Sequence, residues 1–300
     1  MFFKMMGIYL RFWVLVISVT FLWGLSFSTA KIGLRSLEPF SFLWMRSLVS
    51  AITVFILIFI MQNKFSPPKI TGKGSKPSFW VNIFLHNLVF LLYYNGLVYS
   101  TAGRASLFLY VQPLLYVALA TLIAKEEKVG LKAVIGFVSA FAGMVFLFGD
   151  NLSSKGGSTW FGDALVILAA LVWAYQSLYL KMNLVGVDAY RITAWTQLFA
   201  VIPFVLLAFI FNESLPVTVD LNVITGVGFN GIVGTGLTII LWIWLIKEFP
   251  AKRVSAFMFL CPLFGVFLGA LILSEPLTLF MITGSFLIAL GIYLVNKEST

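Results

Sequence analysis

The chain has 300 residues, of which 61% are hydrophobic and 10% are charged, whereas a soluble domain carries about 25% charged residues. This composition excludes an ordinary soluble protein and indicates a chain that is embedded in a membrane. The net charge of +9 would suit a nucleic-acid partner, but the basic residues lie between apolar runs, where membrane orientation accounts for them.

Long apolar runs follow one another along almost the whole chain. A helix needs about 20 mostly apolar residues to cross a bilayer, and runs of at least 17 residues without Asp, Glu, Lys or Arg occur ten times. We therefore predict an all-α polytopic membrane protein with ten transmembrane helices, called spans one to ten. The runs are residues 12–30, 47–63, 77–103, 105–124, 133–149, 164–180, 192–212, 221–246, 254–274 and 276–296.

The basic residues are distributed unevenly between the two sides of this arrangement. With the N-terminus in the cytoplasm, 15 of the 20 Lys and Arg residues fall on the cytoplasmic side and three on the other. This bias is that of the positive-inside rule. We therefore predict a multi-pass protein of the cell (inner) membrane with both termini in the cytoplasm, and we expect no nucleic-acid partner.

The chain contains an internal repeat. Residues 102–126 and 251–275 are identical at 11 of 25 aligned positions, among them Pro113 and Pro262. Paired glycines in spans five and ten, and paired tryptophans in spans one and six and in spans two and seven, continue the correspondence at nearly the same offset. The repeat predicts two homologous units of five spans each, residues 1–150 and 151–300.

An odd number of spans per unit has a consequence for topology. A five-span unit ends on the opposite side of the membrane from its start, so the second copy enters upside down. The charges agree with this, because the loop at 63–78 carries four lysines and its counterpart at 212–222 carries none. Inverted repeats with interrupted helices are the architecture of secondary transporters.

A proline lies within span four and another within span nine. Proline removes one backbone hydrogen bond and clashes with the preceding turn, and in lipid the freed carbonyl is tolerated only where it faces protein or a wet cavity. Pro113 and Pro262 are therefore hinge candidates. A simple packing kink is the alternative for both.

Three patterns resemble the EamA family of the drug/metabolite transporter superfamily. They are "FLWGLSFSTAKIGL" in span one, "A-x-R-x-S-x-F-x(4)-P-L" with a trailing glutamate in spans four and nine, and "G-x(6)-G" in spans five and ten. The resemblance covers both halves. It implies ten helices arranged as a basket, a central substrate cavity lined by spans one, three, four, six, eight and nine, and export of amino acids or other small metabolites.

Polar residues within the spans are candidates for this cavity, because a polar side chain at membrane depth by default points inward. His86, the single histidine, shares a helix face with Tyr93 and titrates near neutrality, so we consider proton coupling or substrate contact for it. A neutral histidine bonded to a neighbouring helix is the alternative.

Aromatic residues of spans one and six complete the predicted cavity. Trp173, Gln176 and Tyr179 follow at spacings of three, and with Trp23 they could form a wall for apolar, aromatic or cationic groups. Lipid-facing tryptophan is the alternative. The cavity candidates are Trp23, His86, Tyr93, Tyr94, Tyr110, Gln112, Trp173, Gln176, Tyr179 and Asn230.

Charged residues at the ends of spans have simpler interpretations. Lys31 and Arg46 are expected to extend to the membrane interface, with a substrate carboxylate or Glu38 as the alternative partner of Lys31. The repeat equivalent of Arg46 is Gln197. Glu126 and the residue aligned with it, Glu275, are each expected to cap a neighbouring helix N-terminus.

Enzymatic chemistry finds no support in the sequence. "GVGFNG" at 226–231 matches a dinucleotide fingerprint, which requires a preceding strand, but it lies inside an apolar span. There is one histidine, and Cys261 is the single cysteine, so neither a catalytic set nor a metal site nor a disulfide within the chain is expected. We predict no enzyme activity and no cofactor.

The prediction is a secondary transporter that exports small metabolites, above all amino acids, by alternating access. A channel or facilitator for small polar solutes is the alternative, as is an exporter of drug-like cations or nucleosides. The expected partners are the lipid bilayer, a small-molecule substrate and, through His86, protons. The sequence does not determine the oligomeric state, and a monomer is compatible with it.

Overall fold

The computed structural model describes residues 2–62, 76–124, 131–153, 159–184, 187–213, 219–249, 254 and 257–298. Most of the described residues are helical and none of them lies in a strand, as expected where lipid leaves the backbone to satisfy its own hydrogen bonds. The α-helices are α1 (Phe2–Gly33), α2 (Pro39–Gln62), α3 (Lys76–Tyr99), α4 (Ala102–Leu109), α5 (Gln112–Leu119), α6 (Leu131–Ser153), α7 (Thr159–Asn183), α8 (Ala189–Ile210), α9 (Leu221–Val223), α10 (Thr238–Glu248), α11 (Leu260–Leu273) and α12 (Leu279–Glu298).

Several of these helices have the length and apolar character of membrane spans. Among the described residues, seven segments are long and apolar enough to cross a membrane, and three shorter apolar helices lie at 134–143, 260–273 and 279–291. The prediction of an all-α polytopic membrane protein is confirmed. The count of ten transmembrane helices stays a prediction.

Helices α6 and α12 contact each other reciprocally. A Cβ atom on Gly143 would lie 2.8 Å from the carbonyl oxygen of Gly284, and one on Gly291 would lie 2.5 Å from that of Gly136. The two helices therefore approach so closely that only glycine fits at either crossing. Gly136 and Gly143 are the repeat equivalents of Gly284 and Gly291, and such an exchange of equivalent contacts is what a two-fold axis between the halves produces.

Pro113, the proline of span four, lies at the start of a helix. It does not lie in the middle of a continuous, bent helix. Helix α4 ends at Leu109, Tyr110 and Val111 are not helical, and α5 starts at Gln112. Pro113 thus lies in the first turn of α5, where a missing N–H is tolerated. Pro262 is similarly placed in the first turn of α11, which follows a 3-10 turn.

A long π-helical segment, Ile224–Leu237, separates α9 from α10. Extended π-helix is rare, and shorter π-bulges recur at functional sites. Its glycines let neighbouring helices approach, since a Cβ on Gly226 would lie 2.4 Å from the Cα of Gly33 in α1. The backbone of this segment also accepts a hydrogen bond from α1, because Trp23 Nε1 donates to the carbonyl oxygen of Gly234 at 3.1 Å. The "GVGFNG" run therefore packs helices together.

Carboxylates cap two helix N-termini through backbone N–H groups. Glu275 accepts from Ala102 N at 2.7 Å and from Gly103 N at 2.9 Å, at the start of α4. Glu213 accepts from Phe40 N at 3.0 Å and Ser41 N at 2.6 Å, at the start of α2. The capping prediction is thus correct for Glu275. That for Glu126 lies outside the described residues.

Lys31 stabilises a helix C-terminus, and the expectation that it extends to the membrane interface stays a prediction. Its ammonium donates to the carbonyl oxygens of Leu97 at 2.5 Å, Val98 at 2.9 Å and Ser100 at 2.6 Å. These are among the carbonyls left without intrahelical partners at the end of α3, and a cation there is favoured by the helix dipole.

Candidate functional site

A cavity of about 290 Å³ lies among α1, α2, α3, α4, α7, α8, α10 and the π-helical segment. Small-molecule sites begin at about this size. Residues of both predicted halves line it. Aromatic rings, neutral amide and hydroxyl groups and one guanidinium form its wall.

Most of the predicted cavity residues lie at this wall, although that position does not by itself test their role. Gln112 and Tyr179 are the two that do not line it. Gln112 turns to α7, where its Nε2 donates to Ser177 Oγ at 3.2 Å. The residues that do line it are Trp23, His86, Tyr93, Tyr94, Tyr110, Trp173, Gln176 and Asn230.

Tyr179 is absent from the wall for a geometric reason. Steps of three residues fall short of a full helical turn by about 60° each. Two such steps turn Tyr179 by about 120° from the direction of Trp173. It therefore packs near Tyr175, with the ring centroids 6.3 Å apart.

Arg46 occupies the wall, contrary to the expectation that it reaches the membrane interface. Its side chain is 1% exposed. The Nη1 atom donates to Thr235 Oγ1 at 2.6 Å and Nη2 to Gln197 Oε1 at 3.4 Å. The guanidinium also lies 4.2 Å from the ring centroid of Phe90. Arg46 starts about 10 Å along α2 from its N-terminal end and points inward, where the cavity supplies polar partners that lipid cannot.

An amide connects Arg46 to the histidine. Gln197 Oε1 accepts from Arg46, so its Nε2 faces Nε2 of His86 at 3.2 Å. An amide nitrogen donates only. Nε2 of His86 is therefore the acceptor in this arrangement, and the imidazole is neutral. Arg46, Gln197 and His86 thus form one hydrogen-bonded chain across α2, α8 and α3.

Further amides join α7 to α3 and α3 to α8 beside this chain. Gln176 Nε2 donates to Asn82 Oδ1 at 3.0 Å, and Asn82 Nδ2 donates to Thr196 Oγ1 at 3.3 Å. In the π-helical segment, Asn230 Nδ2 donates to Thr29 Oγ1 of α1 at 3.0 Å. These groups hold the polar wall in one geometry.

The rings form the apolar part of the wall. Tyr110 and Trp173 lie edge to face with their centroids 6.3 Å apart, and Phe27 and Tyr93 do so at 5.7 Å. Trp23 packs against Trp242 at 5.1 Å. The two tryptophans of the wall, Trp23 and Trp173, come from equivalent positions of the two repeats.

Carboxylates are missing from this cavity as far as the chain is described. No Asp or Glu is among its lining residues, and none of the described carboxylates lies within ion-pair distance of Arg46. The Nε atom of Arg46 has no hydrogen-bond partner within the same ranges. Among the described residues, no cluster of three or more His, Cys, Asp or Glu side chains could hold a metal ion.

Sequence reasoning missed one further buried charge, Asp163. Its carboxylate is fully buried and accepts from Arg104 Nη2 at 2.6 Å and Nε at 3.1 Å, and from Ser100 Oγ at 2.5 Å. This pair joins α4 to α7 outside the cavity. The available signal was the single acidic residue that immediately precedes the apolar run of span six.

Comparison with known proteins agrees with this architecture. The sequence profile of the EamA-like transporter family matches residues 11–149 and again residues 160–297. The chain is 26% identical to "Uncharacterized transporter YoaV" of Bacillus subtilis, over 93% of this chain and 94% of that protein. It is 27% identical to "Probable amino-acid metabolite efflux pump" of Escherichia coli, over 94% and 93%. A solved structure that is 17% identical superposes with a TM-score of 0.68, covering 95% of this chain and 96% of that one.

Proposed function

The chain belongs to the EamA-like transporter family, and from this membership and the central cavity we propose a secondary transporter that exports small metabolites by alternating access. The observation that carries the proposal is the cavity of about 290 Å³ between helices of both repeats. A site between two inverted units can open to either side as one unit rocks against the other.

The interrupted helices support such movement. Residues 110 and 111 break the path between α4 and α5, and a 3-10 turn precedes α11 at the equivalent place in the second half. Pro113 and Pro262 begin the helices that follow, so each break is built into the sequence. We propose these two places as the hinges.

Amino acids with apolar or aromatic side chains are the proposed substrates. The wall offers aromatic faces from Trp23, Trp173 and Tyr110 beside neutral hydrogen-bonding groups. A relative that is 27% identical carries the name of an amino-acid metabolite efflux pump. The distribution of basic residues supports the cell membrane, with both termini in the cytoplasm.

Counterflow in liposomes tests the proposal. Purified protein is reconstituted, the liposomes are loaded with unlabelled amino acids, and entry of a labelled one is followed with and without a pH gradient. Saturable entry driven by the internal substrate identifies a carrier, since a channel only equilibrates solutes. Entry that is linear in concentration and indifferent to internal substrate would contradict a carrier and favour a channel.

Two matched tryptophan variants show whether the cavity is the pathway. Trp173→Ala removes a ring from the wall, whereas Trp160→Ala removes one that is 57% exposed on the outer surface. We expect the first to lower the counterflow rate at subsaturating substrate and the second to leave it unchanged. Equal effects would exclude the cavity as the substrate site.

A further inference from the structure

The guanidinium of Arg46 is the one fixed charge among the described lining residues, and no carboxylate among them balances it. We propose that Arg46 binds the carboxylate of the transported molecule, and that the substrate class is defined by this carboxylate while an amino group is dispensable. This proposal rests on the proposed function, because it assigns the carboxylate to the molecule that is carried.

The first step of the argument is the unbalanced charge. A guanidinium remains ionised in proteins, and burying an ion without an opposite charge is costly. Thr235 and Gln197 offer neutral oxygens and Phe90 offers a ring face, which orient the guanidinium and leave its charge in place. Its Nε atom keeps a free donor within the described residues. An anionic ligand in the cavity would supply the missing charge.

The second step is the character of the remaining wall. Arg and carboxylate pair with two parallel hydrogen bonds, which fixes the ligand's orientation as well as its charge. The aromatic rings of Trp23, Tyr110 and Trp173 then face the rest of the molecule. A ligand ammonium would find ring faces and carbonyls but no acidic side chain among the described lining residues. The amino group therefore adds little, and an amine without a carboxylate would bring a second positive charge beside Arg46.

The third step is the position of Arg46 relative to the repeat. Arg46 and Gln197 are equivalent residues of the two halves and are hydrogen-bonded to each other at 3.4 Å. Equivalent residues can touch only close to the axis that relates the halves. A group near that axis stays beside the substrate whichever half moves, so one carboxylate site can serve the inward-facing and outward-facing states.

Three probes with the same phenyl body separate the charges of the ligand: 3-phenylpropionate has the carboxylate alone, L-phenylalanine has both groups, and phenethylamine has the ammonium alone. Binding is measured by calorimetry on the purified full-length protein. We expect 3-phenylpropionate and L-phenylalanine to bind with similar affinity, and phenethylamine at least about tenfold more weakly.

The variants test whether Arg46 is the residue responsible. Arg46→Gln should weaken 3-phenylpropionate by about tenfold or more. The double variant Arg46→Gln with Gln197→Arg exchanges the two equivalent residues and should recover most of that loss. The control is Arg35→Gln, the same change at an exposed arginine outside the cavity, which should bind like the wild type. Should Arg46→Gln fail to fold, Arg46→Lys keeps the charge without the planar fork and is expected to bind at least about threefold more weakly.

The outcomes are decisive in both directions. Unchanged affinity of Arg46→Gln for 3-phenylpropionate, equal binding of phenethylamine, or binding of none of the three probes would overturn the assignment. If carboxylates bind through Arg46 but no counterflow is observed, the transporter proposal is contradicted. The assignment of Arg46 as the carboxylate site then stands. If amines or neutral solutes undergo counterflow that does not change in Arg46→Gln, the assignment of Arg46 as the carboxylate site is contradicted. The transporter proposal then stands.

Discussion

Two buried arginines illustrate two uses of charge in this molecule. Arg104 is 4% exposed and forms an ion pair with Asp163, whose side chain is 0% exposed, at 2.6 Å. Arg46 is 1% exposed and meets only neutral acceptors and ring faces within the described residues. The first charge is balanced by the protein and joins α4 to α7. The second faces a cavity, where a ligand can balance it.

The difference implies that the charge of Arg104 contributes to folding stability, whereas the charge of Arg46 is available for ligand binding. Removing one partner of a balanced buried pair leaves the other charge uncompensated and is strongly destabilising. Removing an unbalanced charge relieves a cost that the protein already carries. The two sites should therefore respond in opposite ways to loss of charge.

The largest expected effect is that of Asp163→Asn. This change leaves Arg104 buried without its counter-charge, and we expect a loss of about 3–5 kcal/mol in the free energy of unfolding. Thermal unfolding of the detergent-solubilised protein measures it. A melting temperature equal to that of the wild type would show that the pair contributes little and would remove the contrast.

Arg46→Gln should have the opposite signature. Glutamine can still bond to Thr235 or Gln197, and the uncompensated charge is gone, so we expect the free energy of unfolding to stay within about 1 kcal/mol of the wild type or to rise. The same melting experiment gives the answer. A destabilisation as large as that of Asp163→Asn would make Arg46 a structural residue.

The two glutamate caps provide a milder case of balanced charge. Glu275→Gln and Glu213→Gln each keep one acceptor for the backbone N–H groups of α4 or α2 and lose the charge that favours the helix N-terminus. We expect each to cost about 1 kcal/mol, well below Asp163→Asn. Urea titrations measure the free energy of unfolding of the two variants. A loss of stability in only one of them would show that the two caps are not equivalent.

His86 tests whether the Arg46 site is linked to protons. Its Nε2 accepts from Gln197, and Arg46, Tyr93, Tyr94 and Tyr110 are the other charged or titratable groups of the cavity wall. Because glutamine does not titrate, we expect His86→Gln to flatten any pH dependence of transport while carboxylate binding changes by less than about threefold. A pH profile identical to that of the wild type would remove His86 from the coupling.

The smallest expected effect lies outside the cavity, at Asp220. Hydrogen bonds from Ser36 Oγ, at 2.6 Å, and from the backbone of Val223, at 2.8 Å, hold the pKa of this carboxyl below its ordinary value of 3.8. A lowered folded-state pKa stabilises the protein above the ordinary value, and that contribution is lost as the pH falls through the folded-state pKa. Asp220→Asn should therefore slightly reduce the acid sensitivity of the melting temperature below about pH 4. An unchanged acid profile would contradict this.

Composition and the length of the charge-free runs predicted an all-helical membrane protein, because lipid imposes long apolar runs on any sequence that crosses it. Polar and aromatic residues inside those runs were expected to face inward, and eight of the ten candidates line the cavity, Asn230 and Tyr110 among them, whereas Gln112 and Tyr179 do not. The physical cost of a polar group in lipid is sufficient for that inference. It needs no knowledge of how the helices pack.

The sequence did not show which face of each helix points toward the interior of the protein. Arg46 stands near the start of an apolar run, and a long basic side chain there can reach either the interface or the interior. Its direction depends on partners that lie 151 and 189 residues away, Gln197 and Thr235. The repeat equivalence of Arg46 and Gln197 was the one local signal, since two polar residues at matched positions inside spans suggest a shared polar centre.

The π-helical segment was equally inaccessible from periodicity. The glycine-rich run at 226–236 has little hydrophobic pattern to reveal a change in helical pitch. Its geometry follows from close packing against α1 and α2, where Cβ atoms on Gly226 and Gly231 would meet Gly33 and Val49. Tertiary contacts therefore decide the backbone form here.

Counterflow of labelled L-phenylalanine by the wild type, by Arg46→Gln and by the exchanged pair Arg46→Gln with Gln197→Arg is the most direct test of the central claim. The account predicts saturable counterflow in the wild type, its loss in the single variant and its return in the exchanged pair. Equal counterflow in the wild type and Arg46→Gln would contradict the claim that a carrier recognises a carboxylate at the axis between its two halves.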